Sequence, residues 1–168
     1  MKKKASSPKK STYVAVLVGA IIIGLVIAFN YSLDQARISG ERFGKNLQQI
    51  QDDLKKQVAD YESKITSWQE GHLTKQEILQ ISDRHLTDLQ NILSRYEALR
   101  PPEAFVHSLE LFKLSAQSQL ESDELLKEWF ETGNNSTKIR SDELLQQSFE
   151  YETSALASFN TAKKGSTP

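Results

Sequence analysis

Three histidines, His72, His85 and His107, and 22 acidic residues are the groups of this chain whose chemistry could reach beyond packing. On helices, the centre they would build most readily is a di-iron carboxylate site, which needs Glu-x-x-His on two helices and further inward glutamates. The residues three before the histidines are Gln69, Ser82 and Ala104, so that spacing is absent. Across the Pro101-Pro102 turn His107 should face about Ser94, which leaves His85 about nine residues, or roughly 13 Å, away along the axis. His72 falls at the opposite end. All three histidines are therefore expected as polar or rim residues, and no metal site is expected.

Carboxylates recur in pairs, Asp52-Asp53, Glu121 with Asp123 and Glu124, Asp142-Glu143, and Glu150 with Glu152. General acid and base work would need two of them buried side by side, but almost all fall off the apolar stripes, as expected of solvated helix faces. With no cysteine, thiol catalysis, disulfides and cysteine-held zinc or iron-sulfur centres are excluded. No serine stands in a nucleophile-elbow context and no glycine-rich loop could cradle a phosphate. Neither a catalytic residue nor a cofactor is expected.

Two surface features remain. Trp68, Trp129 and Phe130 should converge beside the Gly71-His72 and Gly133 to Ser136 loops. With His72 they form a possible tip interaction site, since aromatics near a tip serve as binding anchors; alternatively the rings plug the open end of a core. Asn134-Asn135-Ser136 and Asn135-Ser136-Thr137 are overlapping sequons, which makes Asn134 and Asn135 possible glycosylation acceptors in a loop.

The elements that would position these residues are helices. Phe43, Leu47, Ile50, Leu54, Val58, Tyr61, Ile65 and Trp68 step by three or four residues, the spacing of one apolar seam on a helix. Thr74 with Glu77 predicts a capping box, followed by a seam at Ile78, Ile81, His85 or Leu86, Leu89, Ile92, Tyr96 and Leu99. Pro101-Pro102 stops that helix and opens the next, with its seam at Phe105, Leu109, Phe112, Ala116, Leu120, Leu126, Trp129 and Phe130. Gly133 to Ser136 separates it from a last seam at Ile139, Leu144 or Leu145, Phe149, Leu156, Phe159 and Ala162. Helices are expected at about 41–70, 74–99, 102–131 and 137–163, within an outer domain of 34–164 and ahead of a disordered end at 165–168. Short connections make consecutive helices antiparallel, so the expected fold is all-α, an up-down four-helix bundle.

Before it lies the uncharged run Tyr13 to Phe29, YVAVLVGAIIIGLVIAF, with five lysines ahead of it. Seventeen helical residues span roughly 26 Å, and residues 13–33 are long enough to cross a hydrocarbon core as a single transmembrane helix. The lysine-rich tail, residues 1–12, is expected on the cytoplasmic side and the C-terminal domain outside, in a single-pass cell-membrane protein. A cleaved signal peptide is the competing reading, but the run is longer than the usual h-region and lacks a clean cleavage site. Ala15, Gly19, Gly24 and Ala28 form a small-residue ridge that would allow a homodimer, although Gly19 to Gly24 misses the four-residue motif by one. The anchor itself would contact membrane lipid. Beyond position 30 there are 16 basic against 22 acidic residues, a net charge of about −6, which argues against nucleic acid as a partner.

The segment Leu93 to Ala162 holds Leu99-Arg100-Pro101-Pro102-Glu103, a His-containing amphipathic helix, a Gly-Asn loop and a final helix with small residues. In this it resembles the uncharacterised membrane-anchored extracytoplasmic helical bundles of microbes; the resemblance implies fold and location and no activity. A weaker likeness is to the four-helix ligand-binding domains of bacterial sensors, against which the chain shows no second span and no cytoplasmic signalling domain. The expectation is a non-enzymatic interaction or accessory subunit that contacts an unknown membrane or envelope protein. The alternative is a ligand-sensing bundle that signals through a partner, which a pocket near Ala116, Ser122 and Asp123 would favour.

Overall fold

A computed structural model describes the backbone of residues 10–165 and the side chains of residues 38–165. Four helices make up the fold: α1 Lys10–Gln69, α2 Lys75–Ala98, α3 Val106–Thr132 and α4 Asn135–Gly165, with a short 3-10 turn Glu103–Phe105 ahead of α3. No strand occurs among the described residues. The chain divides into two compact units at Ser39/Gly40, and the second is a helical bundle. The apolar run Tyr13–Phe29, the anchor 13–33 and the Ala15, Gly19, Gly24, Ala28 ridge lie outside the residues whose side chains are described. Among the described residues no helix is long and apolar enough to cross a membrane.

Each helix end in the bundle has a local cause. Thr74 caps α2 as expected: its hydroxyl accepts from the Glu77 backbone N–H at 3.3 Å, and its own N–H donates to the Glu77 carboxylate at 2.8 Å. The bond from the Thr74 N–H, and a second at 2.7 Å in which the Thr74 hydroxyl donates to the same carboxylate oxygen, hold the Glu77 carboxyl below its ordinary range. Gly71 and Gly133 take φ of 80° and 71°, the left-handed conformation that ends α1 and α3 and that a side chain would strain. Pro101 and Pro102 lack the N–H a helix needs, and α2 stops at Ala98.

The core has two parts. The larger is built from Phe43, Leu47 and Ile50 of α1, Leu89, Ile92 and Tyr96 of α2, and Leu109, Phe112, Ala116 and Leu120 of α3. At its end Phe105 bridges Phe43 and Phe159, with ring centroids 5.5 and 5.0 Å apart. The smaller part gathers Tyr61, Ile78, Leu126 and Phe130, with Trp68 and Trp129 packed against them.

The α3–α4 contact is of another kind. Ser108, Ser115 and Ser122 recur every seven residues on α3, and Ser141, Ser148 and Ala155 recur every seven on α4; all six are buried. They meet in antiparallel register. The Ser122 hydroxyl donates to the Ser141 carbonyl at 2.8 Å, and the Ser148 hydroxyl donates to the Ser115 carbonyl at 2.9 Å. The hydroxyls of each pair lie 3.2 Å apart. Reaching the opposite backbone with so short a side chain requires the two helices to lie close together, and a larger residue there would push them apart. Ser115→Leu is expected to lower stability by about 1–3 kcal/mol through overpacking, against about 1 kcal/mol for Ser115→Ala. Thermal melting of the two variants checks the ranking, and a leucine variant that melts like wild type would disprove the close approach.

This register corrects the expected seam of α4. Leu144 is buried and Phe159 and Ala162 pack on the core, but Ile139, Phe149 and Leu156 are 60%, 53% and 43% exposed. The buried line is Ser141, Leu144, Ser148 and Ala155. Small hydroxyls that bond across the interface outcompete larger apolar side chains for the face nearest α3.

Candidate functional site

Inside the bundle a chain of polar groups links α1, α2 and α3. His85 Nε2 lies 2.9 Å from Asp123 Oδ2, and Gln119 Nε2 donates to the same oxygen at 2.9 Å. His85 is 4% exposed and Asp123 5%. The Tyr61 ring stacks on the His85 imidazole with centroids 3.9 Å apart and planes 16° apart. Since the Ser82 hydroxyl donates to the Ile78 carbonyl at 2.8 Å, the Tyr61 hydroxyl is the donor in its own 2.8 Å contact with Ser82. Burial pushes the Tyr61 hydroxyl above the ordinary phenol range; the Ser82 bond opposes this and the charge of Asp123 adds to it. Tyr61 is therefore a fixed donor at neutral pH.

The proton of the His85–Asp123 bond sits on His85 Nε2 if the carboxylate is ionised, because an ionised carboxylate only accepts. His85 Nδ1 has no partner and is the one such fully buried side-chain atom among the described residues. These positions correct two expectations from sequence. His85 is not a rim residue, and Asp123 is not on a solvated face. His107 and His72 do stay at the surface, His72 beside Glu70 at 3.4 Å. No group of three or more metal-binding side chains occurs among the described residues.

Beside this chain of groups, between α1, α3 and α4, is a cleft of about 180 Å³. Val58 and Ile65 of α1, Leu126 of α3 and Leu145 of α4 give it apolar walls, and Tyr61 and Trp129 line it with aromatic ones. Gln119, Ser122 and Asp123 face it from α3, and Glu62, Lys138 and Asp142 also line it. Lys138 is bonded to Asp142. The cleft lies where Ser122 and Asp123 leave the α3 stripe short of bulk. A second hollow of about 250 Å³ between α1 and α2 has a polar lining apart from Ile92, and includes Arg95 and Asp53, which form an ion pair at 2.7 Å.

At the far end Trp68, Trp129 and Phe130 do come together: Trp68 is 5.7 Å from Trp129 and 4.8 Å from Phe130, and Trp129 is 5.3 Å from Phe130. Phe130 is buried and both tryptophans are half-buried. His72 does not join them, because its side chain is exposed on the turn after α1. Asn134 and Asn135 are exposed; the Asn134 side-chain oxygen accepts from the Ser136 N–H at 3.0 Å and so caps α4.

Sequence reasoning passes over Gln119 and places Asp123 beside a possible pocket without expecting it buried against His85, although a signal exists for both. A strict alternation of four and three from Phe105 runs through Leu109, Phe112, Ala116, Gln119, Asp123, Leu126 and Phe130, and all eight are buried. The same step from Ile78 runs through Ser82, His85, Leu89, Ile92 and Tyr96. Period, not hydrophobicity, marks the polar core positions. Comparison of the chain with protein-family models, curated proteins and solved structures finds no match.

Proposed function

We propose that this chain is a non-enzymatic, single-pass membrane protein whose helical bundle lies outside the cytoplasm and docks on another membrane or envelope protein. The apolar run from Tyr13 to Phe29 and the lysines before it support the anchor and its orientation. The observation that carries the docking role is on α4. Phe149 and Leu156, with half-buried Leu145 on the same flank, form an apolar line at helical spacing, and the first two are 53% and 43% exposed. Exposed apolar surface of this kind marks interaction sites. The partner is best met by an amphipathic helix seated along α4, carrying basic residues that suit an outer domain of about −6.

The test is affinity purification of the full-length protein in mild detergent, with crosslinking and mass spectrometry. A stoichiometric partner crosslinked to α4 is expected from wild type. It should be lost from a Phe149→Ser, Leu156→Ser double variant whose melting stays within about 1 kcal/mol of wild type, since exposed sites tolerate substitution. Retention of the partner by that variant would remove α4 from the interface.

A second reading is favoured by the cleft beside Asp123. In it the bundle senses a small molecule and signals through a partner membrane protein. The cleft is concave and mostly apolar, with a few convergent polar groups, as binding sites are. A fragment screen by thermal shift, run on wild type and on Leu145→Trp, which fills the cleft from its α4 wall, tests this reading. Hits lost in the filled variant support it, and an absence of such hits removes it.

A further inference from the structure

The sensing reading leaves the ligand open, and the wall of the cleft narrows its chemistry. Both hydrogen bonds to Asp123 end on Oδ2, one from His85 and one from Gln119. Oδ1 accepts nothing from the protein, and neither does Gln119 Oε1. Neither oxygen is sealed off, since His85 Nδ1 is the one unpartnered side-chain atom that is fully buried among the described residues. Asp123 and Gln119 are themselves more than nine-tenths buried and line the cleft, so their access is from the cleft. The cleft thus presents two acceptors, one of them a carboxylate oxygen.

The other charges point the same way. Glu62 adds a second carboxylate, and the one cation on the wall, Lys138, is already bonded to Asp142. An anionic ligand would meet Asp123 without a counter-charge. A cation would gain charge-assisted hydrogen bonds from Asp123 and Gln119 and contact with the faces of Tyr61 and Trp129. The apolar walls require that the cation carry hydrocarbon. The volume, about 180 Å³, is below the roughly 300 Å³ at which pockets take drug-sized molecules.

We propose that the cleft between α1, α3 and α4 binds a small organic ammonium ion, an amine with one apolar or aromatic group, its N–H groups on Asp123 Oδ1 and Gln119 Oε1. This rests on the sensing reading above.

The test is isothermal titration of the full-length protein at neutral pH with 2-phenylethylamine, and with 2-phenylethanol and 3-phenylpropanoate as neutral and anionic matches. Saturable binding of the amine alone is expected. Asp123→Asn keeps an acceptor for His85 and Gln119 and should weaken the amine by about tenfold or more, and Leu145→Trp, which leaves Asp123 in place, should abolish it. Amine binding that survives both variants would overturn the site. Binding of the alcohol or the carboxylate instead of the amine would overturn the ligand class while leaving the sensing reading standing. If fragments bind the cleft in the thermal-shift screen and the amine does not, the class again fails alone; if nothing binds, both fail.

Discussion

Leu89→Ala is expected to destabilise the bundle by about 2–5 kcal/mol, the range for emptying a packed leucine site. Leu89 is 2% exposed in the larger core, among Ile92, Leu109, Phe112 and Ala116. Its neighbours come from helices already fixed by other contacts. Lys127 of α3 bonds Asp83 of α2 at 2.7 Å, and Tyr96 accepts from Gln51 of α1 at 2.7 Å. The site therefore collapses poorly when emptied, which puts the cost in the upper part of that range. Leu54→Ala is expected to cost less, because Leu54 is only partly buried against the same cluster. Thermal and denaturant melting of both variants would show the order, and equal melting of Leu89→Ala and wild type would contradict the core assignment.

The helices of the bundle were legible because each carries its own stop. Thr74-x-x-Glu77, Gly71, Gly133 and Pro101-Pro102 act locally, through one missing or one satisfied backbone group, and need no knowledge of the partner helix. Which face each helix buries was legible on α1 and α2, where large apolar residues do the packing. It was not legible on α4. There a seam chosen for hydrophobicity selects Ile139, Phe149 and Leu156, whereas the structure buries Ser141, Ser148 and Ala155. A serine is a poor core residue alone and a good one when a carbonyl of the next helix stands within reach. That condition belongs to the pair and cannot be read from one helix.

The same reason hid the polar interior. Asp123 is surrounded in sequence by Glu121 and Glu124, both exposed, and a cluster of carboxylates reads as a solvated face. Its burial follows from register, since α3 turns Gln119 and Asp123 toward the position where α2 presents His85. The convergence of the tip rings follows from distance from each turn, whereas the His72 side chain stays exposed on the turn after α1, beside Glu70.

His85→Leu is expected to cost about 3–5 kcal/mol, and Asp123→Leu less, about 1–3 kcal/mol. The asymmetry comes from what each truncation leaves behind. Without His85, the Asp123 carboxylate keeps only the Gln119 amide on Oδ2, in a site 5% exposed. Without Asp123, the imidazole, which has a neutral form that needs no counter-charge, loses one hydrogen bond, its Nδ1 being unpartnered already. Removing both should restore most of the loss, because two leucines meet as apolar neighbours where an ion and its donor stood. A coupling energy of at least about 1 kcal/mol in the double-mutant cycle is expected. Additive losses would show that the two side chains are stabilised separately by Tyr61 and Gln119 and not by each other. If the pair sets the α2–α3 register, as a lone polar contact in a helical core does elsewhere, the double variant should also melt less cooperatively although its stability is close to wild type. A sharp transition there would leave Asp123 with the cleft as the reason for its charge.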